Sequence, residues 1–491
     1  MSARVALALV CAGCALAACF PDAALRPIES LVVQMREPQQ AVPVARAFFI
    51  FTALASLASA VAWSRVTGTV ARAVAAIGAW PTHMFWSIVV ATAAILRLLV
   101  AALPYEPTSD AGWYHLVAIS LARGEGVSEH GVPTAFRSPG YAFLLSLLYR
   151  IAGEHVELAW VLGLLSSAVL VVAVHDIARR LYGVAVARVA TLFTAAYPAL
   201  VVMTGQSMSD LPFVAGMYAL IAFALRVDGS RRRDGVVAGV AVGLLTLVRT
   251  VGLGLVVLVP AIWWLASRDA TKYVRSASIV ACVCAAVLLP WMVRNAVALD
   301  RFTIGTNGGS NLLVGSRPGA SGWRDAFDYP DSVAAARTEV AVDDAMRKEA
   351  FAFIRNHPLD ALAILPGKLA AMYLLETQAI TSLFQGERHG SDRIRHALYG
   401  MSQLAWLAIA LLVAARLASW RRPDDRPRGT QWFGWLLVCY FTAICLVFHG
   451  EDRYRLPLLP WYLIEAAVVA VLGAQRRNLS MRPLSSSSEP N

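Results

Sequence analysis

Apolar runs of about twenty residues recur along the chain, separated by short polar stretches that carry most of its arginines. A helix rising 1.5 Å per residue needs roughly 20 apolar residues to cross about 30 Å of hydrocarbon. On that rule the runs near 4–20, 44–63, 83–104, 157–178, 185–204, 210–227, 235–249, 250–267, 275–294, 396–417, 430–449 and 455–474 predict twelve membrane-spanning helices. Two other stretches fit the rule badly. "SPGYAFLLSLLYRIAG" (138–153) is short and opens on Pro139-Gly140, and "PLDALAILPGKLAAMYLLE" (358–376) is interrupted by Pro366, Gly367 and Lys368.

Charge decides what these two stretches do. The clusters Arg179-Arg180, Arg231-Arg232-Arg233, Arg268 with Lys272 and Arg275, Arg421-Arg422 and Arg476-Arg477 all fall on the cytoplasmic side only if neither stretch crosses. The first is therefore predicted to lie in the interface or as a re-entrant piece on the outer side, and the second on that side without a full crossing, with both chain termini inside. The composition agrees: 58% hydrophobic residues, 15% charged residues and a mean hydropathy of +0.58 exclude an ordinary soluble domain of 491 residues. The formal charge of +11 then reads as an orientation signal, and no nucleic-acid partner is expected. Cysteines at 11, 14, 19, 282, 284, 439 and 445 lie nearly all within apolar runs, so neither a disulfide framework nor a zinc site is expected. Leu16-Ala17-Ala18-Cys19 matches a lipoprotein cleavage box, but its setting predicts a first membrane helix or signal anchor. No Gly-rich phosphate loop ending in Lys-Ser/Thr is present, which argues against ATP-driven transport.

With this topology the conspicuous polar groups gather on the external face. They come from loop 105–137, the turn "TGQSMSD" ending at Asp210, the turn at Arg249, the region 294–395 and the turn "HGEDRYR" (449–455). In "TSDAGWYHLVAISLARGEG" (108–126), Thr108 or Ser109 can cap a helix whose apolar stripe is Trp113, Leu116, Val117 and Leu121, leaving His115 and Arg123 off the stripe. Asp110 falls in the first turn, where the helix dipole favours a carboxylate. Its position suits a plain helix-stabilising acid as well as a chemical group. Arg137, before Pro139-Gly140, reads either as a snorkelling side chain or as a ligand for a lipid-linked phosphate. Arg249, between two apolar halves, requires an anionic partner. Glu451 and Asp452 can pair with Arg453 and Arg455 or face a substrate.

The order of "SD" with its amphipathic helix, "RSPGY", "SMSD", "GLLTLVRT", "PWMVRN" and "RYRLPLLP" resembles the GT-C membrane glycosyltransferases. The nearest likeness is to the superfamily of protein O-mannosyltransferases and lipid A aminoarabinose transferases, over residues 83–474. The resemblance implies an all-α polytopic membrane protein: a GT-C-type bundle of about 12 transmembrane helices with external juxtamembrane helices and a small external α/loop region. Its expected divisions are 1–82 (two additional N-terminal helices), 83–293 (catalytic core, with the first external loop and interfacial segment 105–153), 294–395 (external region), 396–474 (C-terminal helices) and 475–491 (a disordered cytoplasmic tail).

The resemblance also implies a polyprenyl-phosphate-linked sugar donor, a glycan, lipid or protein acceptor, and a multi-pass enzyme of the inner or plasma membrane working on its outer face. Asp110 takes the position of the catalytic acid, Asp210 that of a second acid, and Arg137 and Arg249 those of donor-directed basic residues. Arg453 and Arg455 are added as phosphate ligands, and Tyr114, His115, Tyr141, Asn307 and Glu451 as candidate substrate contacts. Asn307 belongs to "TNGGSNLLVGSRPGASG" (306–322), similar to a Gly/Asn-rich loop of bacterial members. Where many relatives carry two consecutive acids, Asp110 stands between Ser109 and Ala111. That departure weakens a metal-bridging role; a divalent metal is compatible but not predicted, and no cofactor is expected. The alternative class is a secondary transporter or lipid flippase. It is disfavoured because no internal repeat is visible and the charges collect at one face.

Overall fold

The computed structural model describes residues 63–103, 105–323, 327–384 and 392–480. The expected spans near 4–20 and 44–63, the question of Cys19 and the tail beyond residue 480 lie outside these residues. The chain divides into two compact units, one of 1–81 with 467–491 and one of 82–466. In the first unit α1 (Trp63–Ala79) is a helix that the apolar runs did not mark. Every other described element begins in the second.

The protein is an all-α polytopic membrane protein. Helices α2 (Thr82–Ala101), α3 (Ser109–Arg123), α4 (Gly140–Ala152), α5 (Ala159–Tyr182), α6 (Val184–Ala196), α7 (Pro198–Met203), α8 (Asp210–Ala224), α9 (Arg232–Val248), α10 (Leu255–Ser267) and α11 (Ala270–Leu299) form its first part. A two-residue antiparallel ladder, β1 (Ser128–Glu129) with β2 (Val132–Pro133), interrupts the first loop. After α11 come α12 (Gly308–Gly315), α13 (Asp331–Ala334), α14 (Glu339–Asn356), α15 (Pro358–Ala363), α16 (Leu365–Tyr373), α17 (Gln378–Leu383), α18 (Asp392–Ser419), α19 (Trp432–Val447) and α20 (Leu459–Ser480).

Among the described residues, six helical segments are long and apolar enough to cross a membrane: Thr82–Ala101, Val156–Tyr182, Thr250–Ser267, Ala270–Leu299, Asp392–Ser419 and Gly429–Val447. The runs expected near 185–204, 210–227, 235–249 and 455–474 are helical as well but fall short of that measure. The first is divided because Pro198 lacks an N–H and cannot continue a helix. Arg97 of α2 donates to the Ala195 carbonyl near the break, over 2.9 Å. The two doubtful stretches fall short of that measure too: 138–153 becomes the 13-residue α4, and 358–376 becomes α15 and α16. Helix α4 buries Tyr141, Leu145 and Tyr149 against α3 and exposes Phe143, Leu144, Leu147 and Ile151. An exposed face that is itself apolar suits lipid, not water. Lys368, which breaks the second run, is buried, and its Nζ donates to the Leu446 carbonyl in the last turn of α19 (2.9 Å).

One packing signal was not read from the sequence. Gly235, Gly239 and Gly243 are spaced by four on α9, and a Cβ on each would strike Ile279, Val283 and Val287 of α11. Small residues in this register let two membrane helices approach closely and gain dispersion contacts. At Gly239 an added Cβ would lie 2.7 Å from Val283 Cβ and 2.9 Å from the Val280 carbonyl, so backbone would have to move. Gly239→Val is expected to destabilise the protein by about 1–3 kcal/mol, read as a lowered melting temperature in detergent; an unchanged transition would contradict this contact.

Candidate functional site

Helix α3 delivers the first acid. Ser109 enters it at φ 52°, a left-handed conformation that few non-glycine residues adopt. The face that α3 buries comprises Asp110, Trp113, Tyr114, Val117 and Ala118. The expected stripe is thus rotated: Leu116 leaves it, and Asp110 and Tyr114 join it. Asp110 is drawn into this buried face, and only 8% of it is exposed.

Both oxygens of Asp110 are held by guanidinium groups. Arg137 Nη2 donates to Oδ1 at 2.5 Å, and Arg453 Nη1 to Oδ2 at 2.8 Å. Arg453 uses its other terminal nitrogen on Glu451, at 3.0 Å. A second group interlocks with this one. Arg249 Nη1 donates to Asp210 Oδ1 at 2.7 Å and lies 3.3 Å from Ser209 Oγ, which shares a hydrogen bond of 2.9 Å with Tyr114. The charge of Arg453 is felt by Asp110, Asp210 and Arg249 alike, so the two groups form one electrostatic unit. Despite burial, the neighbouring carboxylates hold the guanidinium of Arg453 well above its usual range and that of Arg249 above it. Three carboxylates and three guanidinium groups thus balance. Asp210 Oδ2, Arg137 Nε and Arg453 Nε are nevertheless buried with no hydrogen-bond partner among the described residues, which leaves bonding capacity for a ligand.

Local structure explains why these side chains converge. Arg249 is extended (φ −148°, ψ 128°) because α9 ends just before it and a 3₁₀ turn, Thr250–Gly254, follows. Tyr440 fastens that turn, donating to the Val251 carbonyl and accepting from Gly254 N. At the Pro139-Gly140 turn, a Cβ on Gly140 would lie 2.7 Å from the Leu247 carbonyl, so glycine alone lets α4 meet the end of α9. This approach brings the segment carrying Arg137 beside the one carrying Arg249.

The other candidates are placed as follows. Tyr141 stacks edge-on against Tyr114 behind the cluster, with ring centroids 5.0 Å apart. His115 faces away, bonded to Tyr149 at 2.7 Å. Asn307 precedes α12 without capping it, and the stretch read as a Gly/Asn-rich loop is helical over 308–315. Arg455 stands apart from the cluster: it donates to the Met372 and Leu375 carbonyls and to Glu376 Oε2, and lies over the Trp406 ring at 3.6 Å. Asp452 does not pair with either arginine; it accepts from the Thr377 and Gln378 amides at the start of α17. Ser209, which joins Tyr114 to Arg249, was missed; its only signal was adjacency to Asp210. Among the described residues no group of three His, Cys, Asp or Glu side chains could hold a metal ion.

Burial pushes the Glu376 carboxyl up to about 7, against the opposing pull of Arg455. The folded protein therefore binds this proton more tightly than the unfolded chain, and stability falls as pH rises from about 4.5 to about 7. Burial raises Asp452 and Asp343 as well, with the same sign. Glu376→Gln is expected to flatten the fall in melting temperature across that window; an identical pH slope in the variant would remove Glu376 from this role.

Residues 136–293, which include Arg137, Asp210 and Arg249, match the family model of dolichyl-phosphate-mannose-protein mannosyltransferases, the superfamily that the motif order resembles. No curated protein matches the chain. Among solved structures, ArnT from Cupriavidus metallidurans bound to undecaprenyl phosphate is similar at 16% identity, with a TM-score of 0.40 over 82% of this chain and 79% of that one. The oligosaccharyltransferase AglB from Archaeoglobus fulgidus, in complex with an inhibitory peptide and a dolichol-phosphate, is similar at 12% identity, with a TM-score of 0.45. That alignment covers 83% of this chain and 52% of AglB, so the chain spans about half of AglB's length.

Proposed function

We propose that this protein is a GT-C-type membrane glycosyltransferase that moves a sugar from a polyprenyl-phosphate donor to an acceptor hydroxyl at the outer face of the membrane. The observation that carries this reading is the buried cluster in which Asp110 is gripped by Arg137 and Arg453 beside the Asp210–Arg249 pair. Guanidinium groups match phosphate oxygens in geometry and charge. A donor phosphate entering the cluster competes with Asp110 for Arg137 and Arg453, and that competition releases the carboxylate to act as a base.

The reaction then balances with few groups. Asp110 takes the proton of the acceptor hydroxyl, the acceptor oxygen forms a bond to the sugar's anomeric carbon, and the bond from that carbon to the phosphate oxygen breaks. The pair of electrons leaves with the polyprenyl phosphate, whose second pKa near 6 makes it a leaving group needing no general acid. Arg137, Arg249 and Arg453 offset the charge that grows on it. Single displacement inverts the anomeric configuration. Asp210 keeps Arg249 ionised and oriented. The test is incubation of the purified protein in lipid nanodiscs with a panel of polyprenyl-phosphate sugars and candidate acceptors, following release of polyprenyl phosphate. Release with inverted product supports the proposal, and absence of transfer from every donor would sink it.

A further inference from the structure

Outside the charged cluster, a hydrogen-bond network holds the segment that leads into it. Glu339, the first residue of α14, reaches across to the first external loop: Oε1 accepts from the Ala135 amide at 2.9 Å and Oε2 from Thr134 Oγ1 at 2.5 Å. The same carboxylate also accepts from Thr306 Oγ1. Other groups complete the grip. Thr306 N donates to the Ala135 carbonyl (3.1 Å), Arg294 Nη1 to the Thr134 carbonyl (2.9 Å) and Arg294 Nη2 to the Val127 carbonyl (2.5 Å). Thr134 Oγ1 in turn accepts from the Phe136 amide at 3.1 Å. The chain is thus fixed from residue 134 to the amide of 136, and Arg137 follows immediately.

We infer that Glu339 is a positioning residue for the donor phosphate: through residues 134–136 it sets where Arg137 stands against Asp110. The inference rests on the proposed role of Arg137 as a phosphate ligand. Its basis is separate, because Glu339 is 202 residues from Arg137 in sequence and touches neither Arg137 nor Asp110. Thr338 caps α14 by accepting from Ala341 N at 3.2 Å, so the helix does not depend on the Glu339 side chain for its first turn. A helix N-terminus favours an acid in any case. A merely stabilising acid, however, has no need of three donors from two other segments.

The test uses the full chain in nanodiscs and two variants, Glu339→Ala and Glu339→Gln; glutamine keeps an acceptor for the Ala135 amide. Hydrogen exchange of residues 134–137 is expected to quicken about tenfold in Glu339→Ala, while exchange in α8, α9 and α11 stays unchanged. The Kd for undecaprenyl phosphate and the KM for the lipid-linked donor are expected to rise about tenfold, with kcat changed much less. Glu339→Gln should fall between the two. Unchanged exchange at 134–137 overturns the grip, and faster exchange with unaltered lipid affinity overturns its role at the donor. If the wild type itself does not bind polyprenyl phosphate, the proposed reaction and the donor half of this inference both fail, while the exchange result still decides whether Glu339 holds the segment.

Discussion

Asp110→Asn is expected to lower sugar transfer by about 10²–10⁴-fold, the usual contribution of a general base, without loss of donor binding. The amide cannot take the acceptor proton. It also changes what the arginines meet: Asn offers one carbonyl oxygen to two guanidinium groups that now share a carboxylate at 2.5 and 2.8 Å. With its internal anion removed, the Arg137–Arg453 pair should hold polyprenyl phosphate more tightly, by about tenfold or 1.4 kcal/mol. Turnover and lipid affinity measured on the same preparation separate this outcome from misfolding, which would lose both. Full turnover in the variant would remove Asp110 as the base, and weaker lipid binding would remove the competition between carboxylate and phosphate.

Arg453→Leu is expected to be the most damaging single change at the site, destabilising the protein by about 3–5 kcal/mol as well as abolishing transfer. Arg453 is 8% exposed and links Asp110 to Glu451, so its loss leaves two buried carboxylates with one fewer cation between them. Arg453→Lys should recover much of the stability but little of the activity, since an ammonium cannot span both acids with fork geometry. Melting curves of the two variants decide the matter. Equal stability of Arg453→Leu and wild type would show that the cluster is not balanced as described.

Much of this arrangement was legible in the chain because it depends on local chemistry. Apolar run length located the helices, arginine clusters kept 138–153 and 358–376 from being read as spans, and the motif order brought Asp110, Arg137, Asp210, Arg249 and Arg453 forward together. The parts that failed depend on contacts remote in sequence. Nothing beside Arg455 shows that Trp406 and the carbonyls of Met372 and Leu375 will claim it. Nothing beside Glu339 points to Thr134, and an acid opening a helix after threonine reads as ordinary capping. The stripe on α3 was misjudged because periodicity ranks residues by hydrophobicity, whereas the buried face had to include an aspartate paired with two arginines. The Pro198 break and the glycine register on α9 were visible in principle: a proline amid an apolar run and glycines spaced by four both carry a mechanism.

The pair between Asp110 and Arg453 joins residues 343 positions apart. At synthesis rates of about 5–20 residues per second, roughly 17–70 s separate the emergence of the acid from that of its arginine. For most of that interval Asp110 and Arg137 are paired without the second guanidinium that completes the cluster. The nascent chain therefore holds an unfinished cluster, completed only by the turn that precedes its last described helix. On the proposed function, first turnover therefore waits for nearly the whole chain to be made.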